Sequence, residues 1–162
     1  MHGVHLIRLE DFCTFKNLKM ASAVPRRTNF RLVDPEWLWA ELRRSTGPGV
    51  LVVDCRNLEE HSMSRIRGSV HLSLPSLLLR RLAAGKMPVE NAIPCGVARD
   101  TFLSACDAGR MLVICGKPAR AEEEEIDDEE RLGAVASVLL KRLSQDGHEA
   151  VVLAGKQIKK YP

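Results

Sequence analysis

The stretch Val50–Leu72, "VLVVDCRNLEEHSMSRIRGSVHL", decides how this chain folds. It opens with four apolar residues, three of them valine, directly after Gly49. Such a run, bounded by glycine, reads as a strand buried on both faces, the kind found in parallel sheets. "NLEEHSMS" interrupts it and reads as a short helix or turn. Gly68 then introduces a second strand, "GSVHLSL".

Outward from this stretch the alternation continues. Upstream, "VDPEWLWAELRRS" carries helix punctuation: Asp34 suits the N-cap, Pro35 the first helical position, and Trp37, Leu38 and Leu42 recur at helical spacing. "TGPG" ends it. Downstream, "PSLLLRRLAA" reads as a helix between Pro75 and Gly85, and "VARDTFLSAC" as another, closed by Asp107 and Gly109. "RMLVICG" predicts a third strand. "EERLGAVASVLLKRLSQDG" predicts a helix with Leu132, Val135, Leu139 and Leu143 on one side. Its last turns carry Lys141 and Arg142, where the macrodipole favours cations, and Gly147 supplies a stop. "HEAVVLAGK" predicts a fourth strand. This order implies an α/β domain with a mainly parallel central sheet, flanking helices and right-handed crossovers. The domain is expected over residues 30–155. A poorly ordered extension precedes it over 1–29, with an edge strand as the lesser alternative, and a divergent tail follows over 156–162.

The composition fits a folded soluble chain. Of 162 residues, 45% are hydrophobic and 28% charged, near the globular average. A net charge of +3 is too small to imply nucleic acid, and aromatic residues at 4% are too few for a base-stacking platform. No stretch approaches a membrane span, so neither nucleic acid nor membrane is expected as a partner. The five cysteines show no metal-ligand spacing, and His61 and His71 lack metal partners; no metal or cofactor is expected. An odd cysteine count without a secretory signal predicts reduced thiols and a cytoplasmic or nuclear protein.

Read together, these segments resemble a rhodanese-type domain over about residues 32 to 155. Asp54-Cys55-Arg56, Glu59-Glu60 and Arg65-Ile66-Arg67-Gly68-Ser69 match that family's pattern in order and spacing. A narrower resemblance lies in "LLLRRLAAGKMPVENAIP". It is similar to the kinase-interaction motif in the non-catalytic domain of the dual-specificity MAP kinase phosphatases, with Leu77, Leu78, Arg80, Arg81, Leu82 and Gly85 in the matching places. The subgroup acting on extracellular-signal-regulated kinases is the nearest in pattern. The resemblance implies a MAP kinase partner and a role in negative regulation of MAPK signalling. Its implied contact residues are Leu78, Leu79, Arg80, Arg81 and Leu82.

Physical chemistry supports that division of labour. Arginine's planar fork pairs carboxylates bidentately, so it suits an acidic surface. Adjacent residues on a helix point about 100° apart, so at least one of Arg80 and Arg81 must reach solvent. The plain alternative is that both form the wet edge of a core helix.

Two kinds of cysteine chemistry bear on this chain. A phosphatase of this family needs His-Cys-x5-Arg, and no cysteine of the chain follows a histidine. The chain is therefore expected to bind without catalysing, although its family label would be that of a dual specificity phosphatase, a hydrolase. A sulfurtransferase needs a Cys-x4-Arg loop, and Cys115 to Arg120, "CGKPAR", has that spacing. Against it, Pro118 removes a backbone donor, Glu122 to Glu125 bring negative charge near, and Cys115 ends a strand where it can point into the core. Cys55 is expected to be a core thiol, and Asp54 and Arg56 to stabilise the strand end. A rhodanese-like interaction module with another partner is the third reading. The acidic run Glu122 to Glu130 is expected to be a solvated loop. The family's second closing glycine and aromatic are missing after Gly155, which suggests a truncated or alternatively ended product.

Overall fold

The computed structural model describes residues 5–7, 30–116 and 133–154. In chain order these form β1 (His5–Ile7), β2 (Leu32–Val33), α1 (Pro35–Arg43), β3 (Val50–Asp54), α2 (Leu58–Met63), β4 (Ser64–Ile66), β5 (Val70–His71), α3 (Ser76–Ala83), a 3-10 turn (Val89–Ala92), α4 (Gly96–Asp107), β6 (Met111–Cys115), α5 (Ala134–Gln145) and β7 (Ala150–Leu153). The central sheet has the order β2-β7-β6-β3-β5, and every pairing in it is parallel. β3 is buried at all five positions, as its valine run requires.

Alternation along the strands divides the core into two layers. Leu51, Val53, Leu112, Ile114 and Val152 face one way, against Leu82 of α3, Phe102 of α4 and Leu139 and Leu143 of α5. Val50, Val52, Val113, Cys115 and Val151 face the other, where α1 sets Leu38. Each large side chain removed from water this way contributes roughly 1.5–3 kcal/mol before entropy is counted.

The punctuation acts as its chemistry dictates. Asp34 caps α1 by accepting from Trp37 N at 2.6 Å, and Asn57 caps α2 by accepting from Glu60 N at 2.8 Å. Gly85 follows α3 at φ +70°, a left-handed conformation that lets Lys86 N reach Arg81 O at 2.9 Å. A Cβ at Gly85 would also come within 3.3 Å of Arg142 Nη1 on α5, a contact that a small shift of the arginine tip would relieve.

Several expectations need correction. The sheet has five strands, because Leu32–Val33 adds an edge. The strand expected from Gly68 to Leu74 is only Val70–His71. Ser64–Ile66, read as connection, is a strand that pairs in parallel with His5–Ile7, so part of the N-terminal extension does form an edge. α5 begins at Ala134, after Gly133 at φ +76°; the earlier residues expected in it, Leu132 included, lie outside the described residues. So do the acidic run, most of residues 1–29, and the tail from Gly155.

Candidate functional site

Two groups of side chains carry charge in a deliberate geometry. One lies at the carboxyl ends of the central strands. Asp54, His71 and Cys115 each end a strand, and Asp54 stands in register with both of the others. Asp54 is almost wholly buried. Its carboxylate accepts from Arg56 Nε at 2.9 Å and Arg56 Nη2 at 2.6 Å, and from the Arg56 backbone N–H at 3.1 Å. His61 Nδ1 lies 3.0 Å from Oδ2, the oxygen that also accepts from Arg56 Nη2. Burial works to raise the Asp54 carboxyl, but the bonds from Arg56 and His61 outweigh it and hold the group below the usual carboxylate value.

That ionised carboxylate can only accept, so the His61 hydrogen sits on Nδ1. His71 Nε2 lies 3.0 Å from the Arg56 carbonyl, also an acceptor, which fixes the hydrogen on Nε2 there. The two rings stack with centroids 4.1 Å apart and planes 18° apart. Arg56 also donates to Ser64 O at 2.6 Å. The cluster therefore ties β3 to α2, β4 and β5. Asp54 and Arg56 stabilise the strand end, as expected. No local spacing marks the two histidines for each other; their contact exists only once the sheet has formed.

Cys115 faces the α1 layer of the core and is 9% exposed. Burial, with Asp54 nearby adding to it, pushes its thiol up to about 12, with Arg56 opposing. A nucleophile needs a thiolate near neutral pH, which this environment withholds. Cys55 is pushed up as well, first by burial and then by Cys115 and Asp54. Arg120, the other half of the sulfurtransferase spacing, lies outside the described residues.

The second group is on α3. Leu82 is fully buried in the core and Leu78 packs partly against it. Leu79 is half-buried. Arg80 and Arg81 are both exposed, and neither has an ion-pair partner among the described residues. Leu77 is 62% exposed. Of the leucines in the contact set expected from the sequence, Leu82 packs into the protein's own core; Leu77, outside that set, is the most exposed leucine of α3. Leu77, Arg80 and Arg81 stand at i, i+3 and i+4, neighbours on one outer face.

The five-stranded all-parallel sheet, with helices on both faces, defines a rhodanese-like α/β domain. The homologues of this chain are dual specificity protein phosphatases. It is 35% identical over 123 residues to dual specificity protein phosphatase 7 of Homo sapiens, covering 74% of this chain and 28% of that protein. It is 32% identical over 130 residues to dual specificity protein phosphatase Mpk3 of Drosophila melanogaster, covering 78% and 32%. With dual specificity protein phosphatase 9 of Homo sapiens the identity is 34% over 122 residues, covering 74% and 30%. The chain thus spans about a third or less of the length of the relatives it matches. No protein-family model matches it.

Proposed function

We propose that this chain is a docking domain that binds a MAP kinase without dephosphorylating it. Arg80 and Arg81 meet an acidic groove on the kinase, and Leu77 enters the apolar surface beside them, flanked by the half-buried Leu78 and Leu79. The observation that carries this reading is the exposed arginine pair with no ion-pair partner among the described residues, on a helix whose inner side is fixed by Leu82. The homology to dual specificity protein phosphatases and the likeness of "LLLRRLAAG" to a kinase-interaction motif support it. Kinases of the extracellular-signal-regulated class are the favoured partners. Such binding makes the protein a negative regulator of MAPK signalling in the cytoplasm or nucleus.

The test is capture of purified MAP kinase by the full chain. Arg80→Ala with Arg81→Ala should weaken binding by about 2–5 kcal/mol, enough to abolish capture. Capture by the wild type should also fall as salt is raised. Unchanged capture by the double variant overturns the proposal.

A further inference from the structure

A pair of basic residues stands three and two positions before a side-chain hydroxyl twice in this sequence. Arg43 and Arg44 precede Thr46, and Lys141 and Arg142 precede Ser144. A protein kinase whose peptide groove is lined with carboxylates recognises such a pair through charge-assisted hydrogen bonds. The groove takes an extended segment, so the surrounding fold decides which match is usable.

The two matches differ completely in structure. Ser144 lies inside α5, next to Leu143, which is fully buried. Arg142 is held by Gln145 at 3.2 Å and by Asp146 at 3.5 Å. Extending this segment would pull Leu143 out of the core. Thr46 lies in the link between α1 and β3. Every residue from 43 to 48 is exposed, and 44–49 belong to neither helix nor strand. Arg44 already has extended backbone, at φ −64° and ψ 129°. Two contacts must be given up: Arg43 ends α1 with its guanidinium 4.2 Å from the Trp39 ring, and the exposed Arg44 releases its surface pair with Glu41.

We infer that Thr46 is a phosphorylation site for an arginine-directed protein kinase. The kinase transfers the γ-phosphoryl group of ATP to Thr46 Oγ1; a P–O bond forms, ADP leaves, and the hydroxyl proton passes to the kinase's base. The product sits among groups able to respond. Thr46 lines a cavity of about 260 Å³ together with Arg44, Glu41, Glu149, Trp37 and Met111. Arg44 pairs with Glu41 at 2.9 Å but is largely exposed, so it is free to turn to the phosphate. Arg110 is anchored nearby through Pro48 O at 2.9 Å.

The experiment incubates the full chain with ATP and the purified catalytic subunit of cAMP-dependent protein kinase, and locates phosphate by mass spectrometry. Peptides spanning residues 40–50 and 139–148 are run in parallel. The folded chain should take its phosphate at Thr46, while both peptides are accepted. Thr46→Val should remove the incorporation, and Arg44→Gln should slow it about tenfold or more, as loss of a charge-assisted bond implies. Phosphate on Ser144 of the folded chain overturns the inference. So does failure to modify Thr46 in the folded chain, whether or not the 40–50 peptide is accepted.

Discussion

Arg56 and Arg80 are the same residue in opposite circumstances. Arg56 is folded onto a buried carboxylate and donates to it twice from its side chain. Arg80 stands in water on the outer face of α3, beside Arg81. A half-buried, paired arginine holds a structure together; two exposed ones with no ion-pair partner among the described residues leave their charge for something else. The same contrast separates Leu82 from Leu77, five positions apart on one helix. One is core, the other is surface. Charge and hydrophobicity alone do not distinguish these roles; burial and pairing do.

The comparison breaks most visibly at Asp54. Asp54→Ala would leave the buried His61 and the half-buried Arg56 without their carboxylate, so unfolding free energy in urea should fall by about 3–5 kcal/mol. If it falls by no more than a surface substitution does, the strand-end cluster has no structural weight. Next comes the leucine pair. Leu82→Ala should lower stability by about 2–5 kcal/mol through the cavity it opens. Leu77→Ala should stay within about 0.5 kcal/mol of wild type, yet weaken kinase capture. Equal stability losses in the two variants would erase the distinction between core and outer leucine.

The smallest effect is set by pH. The folded Asp54 carboxyl lies below its ordinary value of 3.8, so its contribution is fully present above the unfolded pKa. It is lost as pH falls through the folded value, and the urea midpoint should drop below about pH 4. Cys115 acts at the other end. Its thiol is raised from 9.0 to about 12, so the stability tied to it is complete below 9 and falls as pH climbs between those values. In Asp54→Asn the acid drop should shrink; an unchanged acid profile would show that other carboxylates govern it.

Much of this was legible in the sequence where the cause is local. The valine run of β3 fixed a buried parallel strand, and Asp34 and Gly85 marked helix ends through capping chemistry within a few residues. What was missed depends on distant partners. Ser64–Ile66 has no alternation of its own and becomes a strand only by pairing with His5–Ile7. The 3-10 turn at Val89–Ala92 is too short for a periodic signal. His61 and His71 meet because α2 and β5 converge on Asp54. In α3 the order Leu-Leu-Leu-Arg-Arg-Leu points to no unique inner side. The packing of α3 against α5, with Gly85 at its turn in a left-handed conformation, turns Leu82 inward and Leu77 out.

The edge pairing of β2 with β7 has a consequence for assembly. Leu32 lies beside Val152, so one of the earliest segments of the domain finds its neighbour only after nearly all the rest has been made. On a ribosome the central strands β3, β5 and β6 emerge and can pair while β2 waits with an open flank. Pairings so far apart in sequence form slowly, and until β7 arrives that flank is where an unfinished chain is most open to joining the wrong strand.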